Sequence, residues 1–163
     1  MELQLYEVDT DYTAFLHGID DHVRLEHIGA KQRKFVGVVM EISGIKYYAP
    51  MGSPKPKYAH IKASAPDIYK ISDGTLGVIN INNMIPVVDG CVKPVDINAI
   101  GDEKYKTLLG KQIRQIKKDE EAIAKKASKL YMLVQKEFTK QSLKDRCCDF
   151  KLLEQHCKDY KPQ

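Results

Sequence analysis

The segment from Phe35 to Met51, "FVGVVMEISGIKYYAPM", decides the fold. Two β-rich runs flank Ser43-Gly44, a dipeptide suited to a two-residue hairpin turn, so the pattern predicts two antiparallel strands. The second strand leads directly into "GSPKPK", residues 52–57. Upstream, "LQLYEV" (3–8) alternates and predicts another strand. Asp9 or Thr10 then caps a short helix over "DYTAFLHGI", where Tyr12, Phe15, Leu16 and Ile19 fall at helical spacing. The charged stretch "DDHVRLEHIGAKQRK" (20–34) reads as a loop.

Downstream, "DIYKI" (67–71) and "LGVININNMIPVV" (76–88) join at Asp73-Gly74 and predict further antiparallel sheet. Pro86 cannot donate to a ladder, which places the later part of that run at an edge or a strand end. "GCVKPVDINAI" (90–100) adds a last short strand. The period then changes. Tyr105, Leu108, Leu109, Ile113, Ile116, Ile123, Ala127, Leu130, Val134 and Phe138 recur at helical intervals and form one apolar stripe facing the sheet. "DFKLLEQHC" (149–157) predicts a final helix capped by Asp149. The expected architecture is one α+β domain over 1–163, β-rich over 1–100 and helical over 101–163, with a twisted antiparallel sheet covered by helices.

Composition limits the function classes. The 163 residues are 43% hydrophobic and 29% charged, as in a soluble globular protein. No apolar run approaches the roughly 18 residues of a membrane span. The N-terminus is acidic where a secretion signal would be basic and then apolar, so a cytoplasmic location is expected. Cys91, Cys147, Cys148 and Cys157 lack C-x-x-C spacing and read as reduced thiols. His17, His22, His27, His60 and His156 share no helical face, so no metal site is expected. No cofactor signature is present either. Net charge is +4, with lysines concentrated at 55–62 and 104–129 and acids at 9–26. Such polarity suits a polyanion and is equally common on solvated helix faces.

The residues that carry chemistry centre on the loop after the hairpin. Metal-free RNA cleavage uses the substrate's own 2′-hydroxyl as nucleophile, so the protein need only supply a base, an acid, and donors for the phosphorane charge. Ser53, Lys55 and Lys57 offer such groups, and the prolines restrict the backbone that holds them. The same residues also fit a solvated turn. Arg33 and Lys34 enter the hairpin strand beside the loop. Lys111, Arg114 and Lys118 form a helical row suited to phosphates, with Gln112 and Gln115 as base or sugar readers. Asn80, Asn82 and Asn83 are unusual in a strand and either read base edges or cap strand ends. Tyr47, Tyr48 and Tyr58 flank the loop as candidate stacking platforms, although Tyr47 and Tyr48 point to opposite faces.

"FVGVVMEISGIKYYAPMGSPKPK", "LGVININNMIPV" and "YKTLLGKQIRQI", in this order and spacing, resemble the ToxN/AbiQ family of type III toxin–antitoxin endoribonucleases. The match runs from Tyr6 to about Lys118. The resemblance implies a Kid/MazF/CcdB-like toxin fold and metal-independent cleavage that leaves 2′,3′-cyclic phosphate and 5′-hydroxyl ends. It also implies inhibition by a small, repeat-derived RNA pseudoknot, closed toxin–RNA assemblies, cellular RNA substrates, and phage defence by abortive infection.

Carried over residue by residue, the resemblance assigns Ser53 and Lys55 to the catalytic centre, with Tyr12 as the tyrosine of the first helix. Arg33 stands where relatives carry lysine, which keeps the charge and removes proton-transfer capacity. Gly52 stands where relatives often carry threonine, so a hydroxyl is missing and a backbone N–H is the expected replacement. Lys57 is an additional cation. A non-catalytic RNA-binding protein using the same groove is the alternative.

Overall fold

The computed structural model describes residues 2–25 and 32–162. The hairpin forms as the sequence predicts, with β2 over Phe35–Ile42, β3 over Ile45–Gly52, and Ile42 opposite Ile45. Ser43 and Gly44 both take positive φ, 50° and 80°, the conformation that matches the twist of the flanking strands. β1 (Gln4–Val8) pairs with β2, placing Leu5 opposite Val36. The expected last short strand is β7 (Val92–Pro94), which pairs with β1.

The run over 76–88 is not one strand. It divides into β5 (Val78–Ile79), a 3-10 turn at Ile81–Asn83, and β6 (Ile85–Val87). Both strands pair along the same edge of β3: Met51 meets Ile79, and Tyr48 meets Ile85. Two short strands lying end to end need a step between them, and the three asparagines lie at that step. Asn82 N–H donates to the Asp67 carbonyl (2.9 Å), and its side-chain amide donates to the Arg146 carbonyl (3.0 Å). β4 (Tyr69–Lys70) closes the sheet beside β5 in the order β4-β5-β3-β2-β1-β7, antiparallel throughout, with β6 also on β3. Pro86 lies in β6, whose sole strand partner among the described residues is β3, so this proline falls at an edge as expected.

Helix α1 (Thr10–Ile19) is capped by Asp9, whose carboxylate accepts from Asp11 N–H at 3.1 Å. In the second half, α2 (Glu103–Lys118) and α3 (Glu120–Leu133) meet at Asp119, followed by α4 (Gln141–Arg146) and α5 (Phe150–His156). Asp149 caps α5 by accepting from Leu152 N–H at 3.1 Å. Leu109, Ile113 and Ile116 of α2, Ile123, Ala127 and Leu130 of α3, and Leu153 of α5 are buried in the core shared with the sheet. Each large aliphatic chain so buried contributes about 1.5–3 kcal/mol. The stripe ends earlier than its spacing suggests. α3 stops at Leu133, and Phe138 is 81% exposed. Among the described residues, no helix is long and apolar enough to cross a membrane. His27 and residues 26–31 of the charged loop lie outside the described residues.

Candidate functional site

β3 ends at Gly52, and the chain leaves the sheet edge as an extended, exposed turn through Ser53, Pro54 and Lys55. A 3-10 turn over Pro56–His60 follows, with Tyr58 N–H donating to the Lys55 carbonyl at 3.1 Å. The two prolines hold the serine and lysine on a stiff support. This turn forms one wall of a cleft of about 630 Å³. Arg33 and Lys34, which immediately precede β2, contribute to the cleft, as do Asn80 after β5 and the first half of α2.

Of the residues expected at the site, Ser53, Lys55, Arg33, Gly52, Lys57, Lys34, Tyr58, Asn80 and Gln112 are brought together in this cleft. Their states differ. Ser53, Lys55 and Lys57 are exposed, and Arg33 is half-buried. The Lys34 side chain is buried, and its ammonium donates to Glu7 Oε2 (2.8 Å) and to the Gln32 carbonyl (2.9 Å). Lys34 is therefore a neutralised cation in the cleft wall and not a free phosphate contact. Gln112 is buried, with its Nε2 donating to the Leu76 carbonyl at 2.8 Å.

Of the five RNA contacts expected on α2, four do not line the cleft. Only Gln112 does. Lys111, Arg114 and Lys118 are exposed outside it, and Gln115 donates to both carboxylate oxygens of Asp119 (3.1 Å each) at the α2–α3 junction. The cleft instead uses the row Lys104, Leu108 and Gln112, with Tyr105 and Leu109 beside it. That row has i, i+4, i+8 spacing and is readable as a helix face, but nothing local to it indicates which face meets the hairpin loop. Arg24 also lines the cleft and was not expected there.

Tyr12 is a correction. It is fully buried, its hydroxyl donates to the Pro86 carbonyl at 2.5 Å, and its ring packs against Tyr160 with centroids 5.2 Å apart. Burial raises its pKa well above the ordinary phenol value. It lies outside the cleft lining and holds α1 to β6. The stacking role for the tyrosines fails for a related reason, since Tyr47, Tyr48 and Tyr58 are 0%, 6% and 7% exposed. A base needs an open ring face. Tyr47 is held by Glu154, which accepts from it at 3.1 Å, and Tyr48 meets Tyr6 edge-on at 5.1 Å. Among the described residues, the single cluster of metal-ligating type is Asp20, Asp21 and His22, and it does not line the cleft.

Sheet, proline-stiffened turn and lysine-rich cleft together define a small α+β protein with an open groove suited to a polyanion. The sequence profile described as "Toxin ToxN, type III toxin-antitoxin system" matches residues 4–158, and the chain belongs to this family. It is 31% identical to Endoribonuclease ToxN of Pectobacterium atrosepticum over 97% of this chain and 94% of that protein. Two solved structures share the fold over nearly their whole lengths. One comes from a bacterial antiviral system regulated by a processed non-coding RNA (TM-score 0.85, 30% identity, 98% and 99% of the two chains covered). The other concerns selective toxin inhibition by a non-coding RNA pseudoknot in type III toxin–antitoxin systems (TM-score 0.86, 27% identity, 100% of both chains covered).

Proposed function

We propose that this chain is the endoribonuclease toxin of a type III toxin–antitoxin system, cutting RNA without a metal ion. The ribose 2′-oxygen attacks the adjacent phosphorus, the bond from phosphorus to the 5′-oxygen breaks, and a 2′,3′-cyclic phosphate and a 5′-hydroxyl result. The 2′ proton passes to a base, and the departing 5′-oxygen gains one. Ser53 donates to a non-bridging oxygen. Lys55 neutralises the growing phosphorane charge and moves a proton. Arg33, permanently cationic, adds charge stabilisation. The observation that carries this reading is the placement of exposed Ser53 and Lys55 on one rigid turn, at a cleft that Arg33 and Lys104 also line.

Similarity to the ToxN proteins supports the wider assignment. The cleft accepts a repeat-derived antitoxin RNA pseudoknot as inhibitor and cellular RNA as substrate, and toxin and RNA close into a hetero-oligomer. The biological outcome is abortive phage infection, with the protein acting in the cytoplasm. The whole chain is read as one endoribonuclease domain with a Kid/MazF/CcdB-like sheet and added helices.

Purified protein incubated with RNA in excess EDTA tests the chemistry. Fragments ending in cyclic phosphate are expected, and they are lost with Ser53→Ala or Lys55→Ala while RNA binding persists. An absolute requirement for magnesium would sink the mechanism. Protein that binds and protects RNA without ever cutting it would establish the non-catalytic reading instead.

A further inference from the structure

Gly52 is the last residue of β3 and immediately precedes Ser53. A Cβ at Gly52 would lie 2.7 Å from Tyr58 Oη, 3.1 Å from Val78 Cγ2 and 3.5 Å from Asn80 Nδ2. The space of a side chain at position 52 is thus already filled, and the atom filling it is the hydroxyl oxygen of Tyr58. The chain folds to put it there. The 3-10 turn brings Tyr58 back toward the strand end, and the Lys57 ammonium covers its ring at 5.5 Å from the centroid.

The ring is buried, and a buried tyrosine hydroxyl normally has a hydrogen-bond partner. Among the described residues, neither Tyr58 Oη nor the side-chain amide of Asn80 has one. The occluded polar atoms without partners are Asn82 Oδ1 and Gln112 Oε1. Tyr58 and Asn80 are not among these and both line the cleft, so their polar ends open onto it. Two adjacent donors therefore stand without protein acceptors beside Gly52, the residue that immediately precedes Ser53.

We propose that Tyr58 is a further catalytic residue, its hydroxyl donating to a non-bridging oxygen of the scissile phosphate from the position a side chain at Gly52 would occupy, with Asn80 donating beside it. This role rests on the ribonuclease reading above. It also gives Gly52 a physical purpose, because any side chain there displaces the hydroxyl.

The test is a set of single-turnover cleavage rates for wild type, Tyr58→Phe, Gly52→Ser and the double variant. Melting temperatures and affinities for 2′-O-methyl RNA are measured in parallel. A hydrogen bond to a charged group sets the scale, so Tyr58→Phe slows cleavage about 10- to 100-fold, with Tm and affinity nearly unchanged. Gly52→Ser alone also slows it by pushing the Tyr58 ring aside. The double variant regains most of the lost rate, because the introduced hydroxyl enters the space that the tyrosine oxygen vacated. Tyr58→Phe cleaving at the wild-type rate overturns the proposal, as does a double variant no better than its parents. Wild type that never cleaves RNA removes the ribonuclease reading and this role with it, whereas active wild type beside equally active Tyr58→Phe removes this role alone.

Discussion

Glu7 Oε2 accepts a hydrogen bond from Lys34 Nζ at 2.8 Å, tying β1 to the residue that precedes β2 in the cleft wall. The Lys34 side chain is 4% exposed and that of Glu7 is 22% exposed. The two partners are therefore not equivalent. Without Glu7 the buried ammonium keeps the Gln32 carbonyl and the face of the Tyr105 ring (5.7 Å to the centroid), but no counter-charge at bonding distance among the described residues. Without Lys34 the carboxylate still reaches water and Lys93, 3.8 Å away. We predict that Glu7→Ala costs about 3 kcal/mol in urea denaturation, and Lys34→Met about 1 kcal/mol. A larger cost for Lys34→Met would contradict this account.

Lys126 of α3 donates to three backbone carbonyls, those of Ala63 (3.0 Å), Ala65 (2.7 Å) and Ile68 (3.0 Å). An ammonium has three donors, so all are used, and Lys126 fastens the stretch over 63–68 beside the bonds of Lys70 to the Ile61 carbonyl (2.8 Å) and Arg146 to Asp67 (3.0 Å). Burial depresses the Lys126 pKa. Lys126→Met should destabilise the fold by about 2 kcal/mol, on the scale of hydrogen bonds to a charged donor. It should also open the exposed bond after Lys62 to trypsin. Lys126→Arg should not rescue, since a planar fork cannot meet three converging carbonyls. Protease resistance in Lys126→Met equal to wild type would refute the fastening role.

These two ties show where sequence reading stops. The hairpin, the caps at Asp9 and Asp149, and the Ser53–Lys55 turn were readable because each signal lies within a few residues of chain. The break at Ile81–Asn83 was hidden, because its cause is the shared edge of β3 and the distant carbonyls of Asp67 and Arg146. Lys104 was missed as a cleft residue for the same reason, since the packing of α2 decides which helical row meets the loop. Tyr12 shows the converse error. Its helical spacing already fitted a core residue, and the family resemblance moved it to the site, yet its hydroxyl is committed to the Pro86 carbonyl.

Stability should also depend on pH through the joint between α1 and α5. Asp20 Oδ2 accepts from Asp149 N–H at 2.6 Å, while Asp20 Oδ1 faces His22 Nδ1 at 2.8 Å. His22 Nε2 lies 2.7 Å from the Asp145 carbonyl, so both ring nitrogens face acceptors and the doubly protonated ring satisfies both. The bond to Asp20 raises the His22 pKa against the opposing effect of burial, with Asp21 adding to the rise. Burial acts to raise the Asp20 pKa, but the bonds from Asp149 and His22 outweigh it and hold that pKa below the usual carboxylate value. The histidine contribution is complete below about pH 6.5 and is lost as pH rises through the raised folded value. The aspartate contribution is present above about pH 3.9 and is lost as pH falls through the lowered one. The Tm advantage of wild type over His22→Gln should accordingly be larger at pH 6 than at pH 9. A constant gap would show that His22 does not titrate in this range on folding.

The cations that meet RNA should be separable from those that merely share a helix with them. Lys104 is exposed on the α2 row that lines the cleft. Lys118 lies at the far end of the same helix, beside Asp119, Glu120 and Glu121 in a shallow depression. A lysine that neutralises a phosphate releases a counterion, and each such contact adds about 0.7 to the slope of log affinity against log salt for a single strand. Lys104→Ala should weaken binding of 2′-O-methyl RNA and lower that slope by about 0.7. Lys118→Ala should leave the slope unchanged, because it stands outside the groove, in a depression where Asp119, Glu120 and Glu121 are mixed with Lys117 and Lys125. Fluorescence anisotropy over a range of salt concentrations measures both. Equal slope changes in the two variants would mean that RNA runs along the whole exposed row of α2, and the cleft would no longer define the RNA path.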